Sequence, residues 1–122
     1  MLDGRAVLII EADLLIALDM QRVLETAGCA SVAVARSPEE FAAMADRIVC
    51  DLVLLELLHD ADAAGLALAR RLAAAGTALV LTSPDSRHRR GLPAMPCVPV
   101  VTKPFSDAEL LAACRAALGA RR

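Results

Sequence analysis

Five short apolar runs recur along the chain: "AVLII" (6–10), "SVAVA" (31–35), "LVLL" (52–55), "ALVLT" (78–82) and "VPVVT" (98–102). Their near-continuous hydrophobicity is the pattern of strands buried on both faces, as in a parallel sheet. Parallel strands need crossovers, and the segments between the runs carry helical spacing. "LLIALDMQRVLETAG" (14–28) places Leu15, Leu18, Val23 and Leu24 on the expected inward face, with Gly28 as its stop. "SPEEFAAMADRI" (37–48) opens on Ser37 as cap, Pro38 in the first turn and Glu40 closing a capping box. "SDAELLAACRAALG" (106–119) repeats that design with Ser106, Glu109 and a terminal Gly119. The fourth segment, "SPDSRHRRGLPAMP", is broken by Gly91, Pro93 and Pro96, so only a short helix fits there.

A βα unit repeated five times predicts a parallel sheet with helices on both faces. Right-handed crossovers then favour a doubly wound sheet in the flavodoxin-like order 2-1-3-4-5, with a reduced fourth helix. The 122 residues fit a single domain, 1–122, with enough apolar content (57%) for a real core. The sequence ends at "GARR" after the last expected helix, so a stand-alone domain is expected.

Composition narrows the function. A net charge of -2, neither basic nor strongly acidic, gives no electrostatic case for nucleic acid. Two Phe and no Trp or Tyr leave almost nothing on which bases could stack. No apolar stretch approaches the ~18 residues of a membrane span, and "MLDGRAVLII" is not a signal peptide, so a cytoplasmic protein is expected. Cys29, Cys50, Cys97 and Cys114 show neither a CxxC pair nor zinc spacing and read as reduced, space-filling thiols.

In open α/β sheets ligands sit beyond the carboxyl ends of the strands. Glu11 and Asp13 follow the first run, Glu56 follows the third, Thr82 ends the fourth and Lys103 follows the fifth. In order 2-1-3-4-5 those strands are neighbours, so the groups can meet above one edge. Carboxylates, a hydroxyl and an ammonium are the equipment for holding a divalent cation or a phosphoryl group.

"VLIIEADLLIALDMQRVLETAG", "CDLVLLE", "ALVLTS" and "VTKPFSDAEL" resemble the successive motifs of a response-regulator receiver domain, over nearly the whole chain. "GLPAMPCVPVVTKPF" is further similar to single-domain receivers associated with HWE-type sensor kinases, whose fourth helix is reduced. The resemblance implies an acid pair that binds Mg²⁺, a phosphate-accepting aspartate after strand three, and a hydroxyl and a lysine that contact the phosphoryl oxygens. It also implies a cis bond before Pro104. Thr82 and Lys103 match, and Glu11 matches the first acid. Ala12 stands in the second acid's place with Asp13 one residue later, where it can point into the first helix instead, Glu56 holds the phosphoacceptor position, and Val100 stands where many receivers carry an aromatic switch residue.

The departures fall on the chemistry itself. Glu56 is one methylene longer than aspartate, and an error of about 1 Å can cost ~100-fold where positioning is the catalyst. The metal set shrinks to Glu11 and Glu56, so Mg²⁺ binding is expected to be weak or lost and no other cofactor is expected. Glu56 reaching towards Lys103 and Thr82 would imitate an acylphosphate in part; the plainer alternative is an ion pair left over from a lost site. Among the other polar residues, His59, Asp60 and Asp62 read as a solvated loop, "RHRR" (87–90) as an exposed face, and Asp51 as a turn residue at the far end of its strand. The leading expectation is a non-enzymatic, atypical receiver acting through contact with a protein, a sensor histidine kinase or another regulator. A phosphoacceptor with unusual chemistry and a small metal-assisted hydrolase are the alternatives.

Overall fold

The computed structural model describes residues 2–59 and 62–120. Its elements are β1 (Ala6–Ile10), α1 (Leu14–Thr26), β2 (Ser31–Ala35), α2 (Pro38–Met44), a 3₁₀ turn (Ala45–Arg47), β3 (Leu52–Glu56), α3 (Ala63–Ala74), β4 (Ala78–Ser83), a second 3₁₀ turn (Ser86–Arg90), β5 (Val100–Thr102) and α4 (Asp107–Ala120). The strands form one parallel sheet in the order β2-β1-β3-β4-β5.

Side chains alternate across that sheet with the strand period of two. Val7, Ile9, Leu52, Leu54, Ala78 and Val80 pack into a core under α1 and α4. Leu8, Ile10, Val53, Leu55, Leu79 and Leu81 pack into a second core under α2 and α3. At the far end of the sheet Asp51 fixes the register: its Oδ2 accepts the Ala6 N–H (2.9 Å), while its own N–H donates to the Ala6 carbonyl (2.7 Å). The strands therefore end in step, and step is what brings their carboxyl-end side chains together.

The inward face of α1 differs from the sequence expectation. Ala17, Met20, Val23 and Leu24 are buried, whereas Leu15 is 79% exposed and Leu18 49%. Asp13 caps the helix, and small Ala17 lies fully buried on its inward face. Leucines on both faces hid that phase in the sequence. At Gly28 the backbone turns with φ +102°, a conformation in which a Cβ would also meet the Asp3 carboxylate.

β5 is shorter than the apolar run suggested, because the Val98 N–H bonds the Met95 carbonyl in a turn (3.2 Å) instead of entering the ladder. The fourth crossover holds only the Ser86–Arg90 turn where the others carry helices. At α4 the capping box closes both ways: Ser106 Oγ accepts the Glu109 N–H and Glu109 Oε1 accepts the Ser106 N–H, each at 3.0 Å. The helix runs past Gly119 to Ala120.

Candidate functional site

Glu11 leaves β1 and Glu56 ends β3, two strands paired in register from Val7 and Leu52 onward. Lys103 follows β5 and enters through a cis Lys103–Pro104 bond. The three side chains meet. Lys103 Nζ donates to Glu11 Oε1 and to Glu56 Oε2, each at 2.6 Å. The second oxygens are also taken: Glu56 Oε1 accepts the Ala12 N–H (3.1 Å) and Glu11 Oε2 accepts the Asp13 N–H (3.0 Å). Every carboxylate oxygen of the pair has a donor.

The network lies largely out of water, with side-chain exposures of 16% for Lys103, 11% for Glu56 and 1% for Glu11. Burial pushes both carboxyls up, but the bonds from Lys103 and the Ala12 N–H outweigh it at Glu56 and hold that group below its usual range. At Glu11 burial wins and the carboxyl is raised, so an added proton goes there first. Burial alone would lower the Lys103 ammonium; its two carboxylate partners raise it instead.

Thr82 pairs directly across from Glu56 in the sheet and is buried at 1% exposure. Asp13 takes a different place from the acidic pocket expected of it. Its Oδ1 accepts the Leu15 and Ile16 N–H groups (2.9 and 3.3 Å) as the cap of α1, and only its backbone N–H reaches the pocket. A freed helix-end N–H is a strong competitor for a short carboxylate. Asp62 is likewise a cap, accepting from Gly65 N–H and Leu58 N–H, while Asp60 lies outside the described residues.

Two features escaped the sequence reading. Arg36, following β2, donates from Nε and Nη2 to the Ala12 carbonyl (3.1 and 3.0 Å), so both backbone polar groups of Ala12 are engaged, the N–H by Glu56 and the carbonyl by Arg36. No motif marks such a side chain-to-carbonyl clamp. His88 belongs to no exposed face: it is 5% exposed, and its Nδ1 hydrogen-bonds Ser83 Oγ at 2.6 Å. Ser83 is fully buried and its Oγ also accepts the Asp85 N–H (3.1 Å), so this serine–histidine pair fastens the 3₁₀ turn to the end of β4.

The donor set does not suit Mg²⁺, which demands an octahedron of oxygens. An ammonium stands between the two carboxylates, their outer oxygens are used by backbone N–H groups, and Asp13 is committed to its helix. Among the described residues no group of three or more His, Cys, Asp or Glu could hold a metal ion.

On either side of the network the surface is apolar. A groove of about 450 Å³ is lined by Leu15, Ile16, Met20, Pro84 and Phe105, with Lys103 in its wall. A smaller cavity of about 290 Å³ borders Glu56 and Glu11 and carries exposed Leu58. Among the described residues no helix is long and apolar enough to cross a membrane.

No protein-family model matches the chain. No curated protein matches it. Solved structures do. A response regulator receiver protein from Burkholderia phymatum is 21% identical with a TM-score of 0.80, covering 95% of this chain and 96% of its own. A response regulator from Thermotoga maritima is 21% identical with a TM-score of 0.79 over 96% of this chain and 99% of that one. The receiver domain of the PhyR response regulator from Erythrobacter litoralis is 18% identical with a TM-score of 0.76, over 98% and 94%. The five-stranded order, the crossovers and these neighbours agree: the chain has the CheY-like fold of response-regulator receiver domains.

Proposed function

We propose that this chain is a signalling protein of the two-component type that acts by protein contact, without accepting phosphate and without catalysing a reaction. The observation that carries the reading is the closed Glu11–Lys103–Glu56 network. A nucleophilic carboxylate needs a free oxygen aimed at the phosphorus and a cation to gather the phosphoryl charge. Glu56 has both oxygens engaged, and Lys103 is already neutralised by two carboxylates. Glu56 draws the lysine as a phosphorylated aspartate would, with less charge and fewer acceptor oxygens. The pocket rests in one state.

Contact then needs a surface. Leu14, Leu15 and Leu18 leave apolar area exposed on α1, and Leu15 opens into the groove whose wall includes Lys103. A helix of a sensor histidine kinase or of another regulator is the partner this surface fits, read together with the state of the network beside it. Binding of the cytoplasmic parts of the host's sensor kinases to the wild type, Glu56→Gln and Leu15→Glu tests the proposal. Weaker binding by both variants is expected. A kinase that binds all three equally would remove both the groove and the network from the function.

A further inference from the structure

The shortened fourth crossover leaves one edge of the sheet lying in a groove of about 580 Å³ between the Ser86–Arg90 turn and α4. Its floor is the run from Pro96 through Val101. The direction in which each backbone group points follows from the ladder to β4. Leu81 N–H donates to the Pro99 carbonyl (2.9 Å) and Lys103 N–H donates to the Ser83 carbonyl (2.8 Å). The Pro99 carbonyl, residue 101 and the Lys103 N–H therefore face β4, and residues 100 and 102 face away from it. Among the described residues no hydrogen bond engages the Val100 N–H or carbonyl. Those two groups lie on the groove side of the strand.

The two walls differ in chemistry. Val100 packs with Leu92 and Met95 towards the turn, whose exposed Arg89 and Arg90 stand on that side. Val101 packs with Leu110 and Ala113 towards α4, which offers small Ala112 and Ala113. Among the described residues that line the groove only Glu109 is acidic, and its carboxyl is held below the usual range by the Ser106 N–H and hydroxyl first and by Arg89 last. A strand laid in the groove turns alternate side chains to alternate walls. One set would meet arginines and the other small apolar side chains.

We infer that this edge binds an extended peptide segment of a partner protein, with acidic and apolar residues alternating, which adds as a sixth strand through Val100. Backbone bonds supply the attachment and the two walls supply the selection. Pro96 and Pro99 keep the available edge short, so one pairing unit at Val100 is the core of the contact and the binding is weak and reversible. The proposal does not depend on how Glu56 is read.

Fluorescence anisotropy with a labelled peptide alternating Asp and Val tests it on the intact chain. Controls are a peptide of the same composition with all Val preceding all Asp, and the alternating peptide N-methylated at its central valine. The alternating peptide is expected to bind saturably, and N-methylation, which removes a backbone donor, is expected to weaken it about fivefold. Arg89→Glu combined with Arg90→Glu is expected to weaken it about tenfold, more at low salt. Val100→Pro deletes the outward N–H while sparing the ladder to β4, and should act like N-methylation; should that variant fold poorly, the methylated peptide makes the same test on an untouched protein. Equal binding of the blocked peptide, indifference to N-methylation, or no saturation in the millimolar range would each overturn the inference. So would concentration-dependent self-association abolished by the arginine substitutions, which would make a second copy the occupant.

Discussion

Replacing Glu56 by glutamine keeps the length of the side chain and removes one acceptor and the charge. Glu56 now serves two donors, Lys103 Nζ at 2.6 Å and the Ala12 N–H at 3.1 Å. The amide has one oxygen for them, so its NH₂ must face the other donor. Lys103 keeps Glu11 at 2.6 Å and is not orphaned, which places the loss below the ~3–5 kcal/mol of a stranded buried charge. One charge-assisted bond in a site that is only 11–16% exposed at its two members is worth about 1.5–3 kcal/mol. With a urea slope of about 1–3 kcal/mol per M, the midpoint should fall by roughly 1 M. The pH dependence fixes the cause. Glu56 is held below its ordinary value of 4.5, so its contribution is present above that pH and fades as the pH falls through the folded value. The gap between wild type and variant should therefore close in acid. Glu11 is shifted the other way, so at neutral pH it carries a burial cost that protonation relieves, and Glu11→Gln should cost less than Glu56→Gln. A Glu56→Gln loss under about 0.5 kcal/mol, or one that persists unchanged below the carboxylate range, would refute the reasoning.

Four further outcomes are expected from the structure. Leu15→Glu, at a side chain 79% exposed, should leave stability within about 0.5 kcal/mol while abolishing partner capture; a large loss of stability in denaturation would show that the leucine is part of the core after all. Exposed Cys97 should react at once with a thiol reagent, whereas buried Cys114, whose thiol burial pushes up to about 12, should react only on unfolding. Because the unfolded thiol titrates near 9.0, stability should also decline as the pH rises above that value, and Cys114→Ala should blunt the decline. Calorimetry should find no tight Mg²⁺ binding in the wild type, and a gain in Ala12→Asp; stoichiometric tight binding by the wild type would contradict the donor arrangement.

The fold was legible because parallel strands buried on both faces read as short apolar runs, and the runs at 6–10 and 31–35 match β1 and β2 residue for residue. Chain order then put Glu11, Glu56, Thr82 and Lys103 at one end of the sheet. Three things were not legible. The phase of α1 depends on which leucines meet the sheet, and Leu15 and Leu18 are as apolar as Leu24, which does. The sequence left Asp13 open between the pocket and the first helix, and a competition with the uncapped helix end settles it in favour of the cap. The roles of Arg36 and His88 rest on contacts with the Ala12 carbonyl and with Ser83 Oγ, made by side chains whose types alone predict an exposed surface.

The central claim is that Glu56 holds the pocket closed against phosphoryl transfer. Incubation of the wild-type protein with acetyl phosphate and Mg²⁺, followed by intact mass spectrometry, tests it most directly, with Glu56→Asp in an Ala12→Asp background as the comparison. The wild type should keep its mass unchanged while the double variant gains a phosphoryl group on part of its molecules. A stoichiometric phosphoryl adduct on the wild type would contradict the account.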